Sequence, residues 1–136
     1  MNNRKGISAL LETVLLILVV LAAAGIIFGA VIPMLREPAE RASMCQDALT
    51  VSSTPTMVTL IKNKDVAINN ISINVYNAAG AATPVPGVLM PTGIGSAATT
   101  PLTGLTGGPF VKVQVIPLVN MTTGKQVACA PIEVLL

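Results

Sequence analysis

Few side chains in this sequence could act as catalytic acids, bases or nucleophiles. It has no histidine and no tryptophan, and its charged residues are six acids and eight lysines or arginines. General acid–base and nucleophilic catalysis need a proton acceptor beside the reacting group, most often a histidine or a second carboxylate. The acids are not paired outside residues 36–47, and no glycine-rich phosphate loop precedes a helix. The sequence therefore predicts that the protein is not an enzyme and binds no cofactor.

Cys45 and Cys129 are the two cysteines of the chain. Two thiolates without a histidine cannot complete a zinc site, so we expect no metal. In an exported domain an even pair of cysteines favours a disulfide, which stabilises by roughly 4 kcal/mol for a loop of this size in the chain-entropy model. We predict a Cys45–Cys129 disulfide that ties the segment after the N-terminal helix to the last strand.

Two tripeptides, Asn70-Ile71-Ser72 and Asn120-Met121-Thr122, match the acceptor sequence for N-glycosylation. They have meaning only on an exported surface. Asn70 falls inside a predicted strand, whereas Asn120 falls at a predicted turn, so this pattern favours Asn120.

These residues are organised around the apolar segment 7–35, in which Glu12 is the single charged residue. As a helix it would be roughly 40 Å long, more than the roughly 30 Å hydrocarbon core of a bilayer. A helix that is apolar on every face must be surrounded by lipid or by other helices. Arg4 and Lys5 precede it, as in an export signal, so we expect the N-terminus in the cytoplasm and the rest of the chain outside.

A cleaved secretory signal is an alternative interpretation of this segment, with Ala22-Ala23-Ala24 as the small-residue cleavage site. Two features disfavour it. Glu12 would lie inside the apolar region of the signal, and apolar character continues past the site through Ile26, Phe28 and Ile32.

Within the helix, Glu12 has two interpretations. It is either an acid of the first turn, near a Ser8 N-cap and the positive end of the helix dipole, or an assembly acid that pairs with a neighbouring subunit.

Gly25 and Gly29, extended by Ala22, form a small-residue pattern that lets helix backbones approach closely. Pro33 is expected to kink or end the helix near Met34, although a turn or two could continue through Arg41.

The sequence Arg4-Lys5-Gly6-Ile7-Ser8, followed by Ala9-Leu10-Leu11-Glu12-Thr13 and a long aliphatic helix, resembles the N-terminus of archaeal type IV pilins. The resemblance covers about the first 30 residues. It implies that a prepilin peptidase removes the basic leader by cutting between Gly6 and Ile7. It also implies a membrane-inserted precursor that an assembly machinery polymerises into an extracellular filament. Archaellins are related, but the Ile7-Ser8 start favours an adhesion pilus.

The remaining chain has a different composition. Residues 36–47, here called the collar, are rich in charge, and Pro38 suits the first turn of a short second helix. Residues 48–136 contain alternating apolar and polar stretches that predict strands around 56–62, 71–76, 111–115 and 126–136. A turn at 122–125 joins the last two. Residues 78–109 are expected to be mostly flexible surface loops, within which 88–90 could form a short strand. The alternative is a variable outward face that contacts the surroundings or neighbouring subunits. The predicted class is α+β: a long apolar helix followed by a small antiparallel sandwich or barrel.

These observations divide the chain into a leader at 1–6, an apolar helix at 7–35, the collar at 36–47 and a β-domain at 48–136. Without Arg4 and Lys5 the basic count falls from 8 to 6 and equals the 6 acids, so nothing favours nucleic acid. We expect a homopolymeric filament subunit, with helices in the core and β-domains outside. The alternative is a surface binding module that is held in the membrane by one span.

Overall fold

The computed structural model describes the backbone from residue 3 to residue 136 and the side chains from residue 7 onward. Of the predicted leader, residues 1 and 2 lie outside the described residues. The chain forms two compact units, Met1–Ala39 and Glu40–Leu136. A long apolar helix is followed by antiparallel sheets, which confirms the predicted α+β class.

The N-terminal helix is longer than predicted. It comprises α1 (Asn3–Ile26), a π-helical segment (Ile27–Val31) and α2 (Ile32–Cys45). The backbone N–H of Ile32 donates to the carbonyl of Ile27, five residues back. This wider turn lies where the ring of Pro33 would otherwise crowd the carbonyl of Gly29. Of the alternatives for Pro33, the helix does not end near Met34 but continues past Arg41 to Cys45, because a π-turn accommodates the proline.

Two smaller expectations about this helix are also corrected. Ser8 does not cap it, since α1 already begins at Asn3, and Glu12 lies in the third turn rather than the first. Pro38 does not start a new helix, because α2 runs through it without a break. The collar is thus helical as far as Cys45.

The C-terminal unit contains two antiparallel sheets. One has three strands in the order β1-β2-β5, and the other has the order β4-β3-β6-β7, with β8 also paired to β6. The strands are β1 (Leu49–Thr54), β2 (Met57–Lys62), β3 (Ile68–Asn77), β4 (Ala82–Pro84), β5 (Ala97–Pro101), β6 (Phe110–Asn120), β7 (Gln126–Ala128) and β8 (Ile132–Leu135).

The core of this unit lies between the two sheets, so the fold is a sandwich. The alternation of apolar and polar residues along each strand places every second side chain inside. The inward side chains of both sheets form one buried cluster, whose main members are Leu49, Val58, Leu60, Ile71, Ile73, Val75, Val113 and Val115.

The structure departs from the predicted strands in the region 78–136. No strand forms at 88–90, and β4 and β5 lie on either side of that segment instead. The predicted strand 126–136 is two strands, β7 and β8, which both pair with β6 and are separated by residues 129–131. The predicted turn is present, with Gly124 in the left-handed region and its N–H bonded to the carbonyl of Met121.

The end of α2 is defined by Asp47 and Lys64. Asp47 adopts a φ of 55°, the left-handed conformation that commonly follows the last helical turn. The Lys64 ammonium donates to the carbonyls of Ser43 and Gln46 at 2.8 and 3.3 Å. These carbonyls have no partner further along the helix, so the lysine satisfies acceptors that the helix leaves open.

Candidate functional site

The first candidate surface is the apolar helix. Its large apolar side chains from Ile7 to Leu35 are each between 40% and 76% exposed. The helical segment Ile7–Cys45 is long and apolar enough to cross a membrane, by length and composition. Such a surface is stable only when lipid or other protein covers it. An anchor in a membrane is one way to provide that cover.

The small residues of this helix leave its backbone accessible. Ala22 and Gly25 lie in α1, and Gly29 lies in the π-helical segment. A Cβ added at Gly25 or Gly29 would meet no atom within 4 Å in the described chain. Nothing inside the chain therefore requires glycine at these positions. Their predicted role in helix packing stays a prediction.

Two further predicted features lie near the start of the helix. Glu12 is exposed on α1, and its pairing with a neighbouring subunit stays a prediction. At the predicted cleavage site Ile7 is exposed, whereas only the backbone of Gly6 is described, within α1. The cut between them is likewise not tested by the geometry.

The second candidate surface surrounds the disulfide. Cys45 and Cys129 are bonded, as predicted, with their Cα atoms 5.4 Å apart. Cys129 is 5% exposed and packs against Val66 and Val119. The bond joins the last helical residue to the segment between β7 and β8. A disulfide indicates an oxidising, extracellular environment.

Two charged collar residues, whose roles have no local sequence signature, strengthen the same connection. One carboxylate oxygen of Glu40 accepts hydrogen bonds from the N–H and the hydroxyl of Thr122, at 2.7 and 2.6 Å. The guanidinium of Arg41 donates to the carbonyl of Ala128. Helical residues 40–45 therefore contact both the β6–β7 turn and the end of β7.

A polar cluster lies on the outer face of the larger sheet. Lys112 forms an ion pair with Glu133 at 3.0 Å and lies 4.8 Å from the ring centre of Tyr76. The Gln114 amide bridges Glu133 and Tyr76, because its nitrogen donates to the Glu133 carboxylate and its oxygen accepts from the Tyr76 hydroxyl. The hydrogen bond from Lys112, and then its charge, lower the pKa of the Glu133 carboxyl below the ordinary value of 4.5. The cluster is a satisfied surface network rather than a reactive centre.

The two glycosylation sequences differ in their surroundings. Asn70 is exposed on β3, whereas Asn120 is half-buried at the end of β6, and its Oδ1 atom is buried without a hydrogen-bond partner. Asn120 is thus a strand residue adjacent to the turn rather than part of it.

Among the residues that the structure describes, no cluster of three or more histidine, cysteine or carboxylate side chains is arranged to hold a metal ion. Nothing matches this chain in comparisons with models of protein families, with curated proteins or with solved structures. The exposed helix and the sheet unit are therefore the features from which a function can be inferred.

Proposed function

We propose that the chain is the structural subunit of an extracellular filament of the type IV pilus kind, which serves in adhesion. The helices pack in the core of the filament and the sheet units form its outside. The observation that carries the proposal is the apolar helix, whose large side chains are 40–76% exposed on all faces.

The physical reason is the hydrophobic effect. Before assembly, lipid covers the helix in the cytoplasmic membrane. A helix that is apolar on every face leaves lipid at tolerable free energy only if other apolar helices replace it. Identical subunits that contact one another head to tail form an open helical polymer rather than a closed oligomer. Close contact at Gly25 and Gly29 would favour such packing.

Three further observations support this function. The basic sequence at 4–6 followed by Ile7-Ser8 fits removal of a leader by a prepilin peptidase, with export and polymerisation by its assembly machinery. The Cys45–Cys129 disulfide suits a subunit outside the cell. The sheet unit, in which residues 40–45 are bonded to the β6–β7 turn and to the end of β7, suits a compact domain on the outside of a filament.

The second candidate is a binding module that is anchored to the membrane, which the length of the apolar helix also supports. In that protein the helix stays in lipid permanently. The two functions therefore differ in where the protein is found after cells are sheared.

The test is electron microscopy of material sheared from native cells, with N-terminal sequencing of the same protein band. We expect fibres whose subunit begins at Ile7. Fibres beginning at residue 1 would retain the filament and remove the peptidase step. If no fibres form and the protein sediments with membranes, the filament proposal is wrong and the anchored module replaces it. A chain that begins near Gly25 would indicate an ordinary secretory signal.

A further inference from the structure

We propose that Asn70, and not Asn120, is the residue at which the folded chain accepts an N-linked oligosaccharide. This choice reverses the preference that the sequence pattern alone gives. It follows from how the sheet unit presents the two asparagines and their hydroxyl partners.

Asn70 and Ser72 lie on the same outer face of β3. Successive strand residues point to opposite faces, and Ile71 between them is buried at 3% exposure, so its two neighbours point outward. Both are exposed. The pairing of β3 with β6 shifts register between Ile68 and Asn70, so the backbone leaves the regular ladder at this point.

The amide of Asn70 is also held in a defined orientation. Its Oδ1 accepts the backbone N–H of Ile71 at 2.9 Å. The amide nitrogen, which is the atom that is modified, makes no hydrogen bond within the described residues. The nucleophile and the hydroxyl two residues later are therefore accessible together from one side.

Asn120 lacks this arrangement. Its Oδ1 is buried, and Met121 beside it is only 4% exposed. The hydroxyl of Thr122, which the acceptor sequence requires, donates to Glu40, and so does the backbone N–H of Thr122. An enzyme would have to break both bonds and move the end of β6 before it could use this sequence.

The reaction transfers an oligosaccharide from a lipid-linked phosphate donor. The bond between the first sugar carbon and the phosphate oxygen breaks, and a bond forms between that carbon and Nδ2 of Asn70. The amide nitrogen loses one proton, and the lipid phosphate leaves with the bonding electron pair. No oxidant or reductant is needed.

A glycan at Asn70 would also determine which face of the sheet unit points away from the filament. This inference rests on the proposed filament function. A bulky glycan on β3 keeps the outer face of the larger sheet in solvent. Neighbouring sheet units would then contact one another through other surfaces, and the face that carries Asn70 would be the outside of the filament.

The test is peptide mapping by mass spectrometry of the protein purified from its native cells. Trypsin cuts after lysine, so Asn70 falls in the peptide 65–112 and Asn120 in the peptide 113–125. We expect added sugar mass on the first peptide and none on the second. Sugar on the second peptide, or on neither, would overturn the proposal.

Matched variants distinguish the two asparagines on the intact chain. Asn70→Gln and Ser72→Ala should each abolish the added mass completely, although Ser72→Ala keeps the asparagine. Asn120→Gln should leave it unchanged. Retained sugar in Ser72→Ala would contradict the assignment. Electron microscopy of the same preparations distinguishes this inference from the proposed filament. Fibres without sugar at Asn70 would overturn only the glycosylation site. Protein that is glycosylated at Asn70 but forms no fibres would overturn only the filament.

Discussion

The backbone N–H of Cys129 donates to the carbonyl of Pro117 at 2.9 Å. In an antiparallel sheet the N–H and the carbonyl of one residue point toward the same neighbouring strand. The nitrogen of Pro117, which carries no hydrogen, therefore points toward the segment that contains Cys129. That segment, residues 129–131, is the break between β7 and β8. A proline in a central strand normally costs a ladder hydrogen bond. Here the neighbouring strand is interrupted where the missing donor would point, and the disulfide occupies the break.

The disulfide should therefore contribute substantially to the stability of the sheet unit. The Cys45→Ser, Cys129→Ser double variant should lower the free energy of unfolding by about 2–5 kcal/mol, because 84 residues separate the two cysteines. Denaturant unfolding of the full chain in detergent, followed by circular dichroism, measures this change. Wild-type protein with reductant is the control and should behave alike. Equal stability of oxidised and reduced protein would contradict the prediction.

The sandwich core gives a second prediction with a matched control. Leu60 is fully buried between the sheets, whereas Leu89 is 56% exposed. Leu60→Ala should destabilise by about 2–5 kcal/mol, because it removes buried methyl groups and leaves a cavity. Leu89→Ala should change stability by no more than about 0.5 kcal/mol. Similar losses in both variants would mean that the core does not lie where the structure places it.

The features that depend on local pattern could be predicted from the sequence. The alternation at Ile71, Ile73 and Val75 indicates a half-buried strand, and these side chains do lie in the core. The cysteine pair indicates a disulfide because no other chemistry suits two thiols in an exported domain. The apolar segment indicates a helix by composition alone.

What the sequence could not supply depends on contacts far apart in the chain. Strand β5 is Ala-Ala-Thr-Thr-Pro, which resembles a loop, yet it pairs with β2, and its residues Ala98 and Thr100 are buried. Pro33 disrupts an ordinary helix, and a π-turn compensates for it. The contact between Glu40 and Thr122 spans 82 residues and has no local signature. That same contact decides which glycosylation sequence is accessible.

The hydrogen bonds of Glu40 should be measurable in stability. Glu40→Ala removes the acceptor for both groups of Thr122 and should cost about 1–3 kcal/mol, since bonds to a carboxylate are stronger than neutral ones. Thr122→Val removes only the hydroxyl bond and should cost less. Both variants remove the hydroxyl bond, so the double variant should lose less free energy of unfolding than the sum of the two single losses. A loss equal to that sum would mean that the hydroxyl bond contributes nothing, which would contradict the prediction.

The ion pair of Lys112 and Glu133 predicts a pH dependence with a definite sign. Because Lys112 lowers the pKa of folded Glu133, the pair stabilises at pH above the ordinary value of 4.5 and stops doing so as pH falls through the lowered pKa. Titration of the Glu133 carboxyl by NMR should show this pKa rising toward 4.5 in Lys112→Met. Lys125→Met is the control and should leave it in place. An unchanged pKa in Lys112→Met would rule out the assigned cause.

The glycines of the helix test the proposed assembly. A side chain at Gly25 has open space within the chain, so Gly25→Leu should leave the sheet unit's unfolding transition unchanged. If neighbouring helices approach closely there, the added methylenes overpack each contact at a cost of about 1–3 kcal/mol, which weakens each contact by roughly fivefold or more. Counting fibres by electron microscopy measures the effect. Leu16→Met, which conserves volume on an exposed position of the same helix, should assemble normally. Undiminished fibres from Gly25→Leu would show that helices do not approach at this face, even if the filament itself is present.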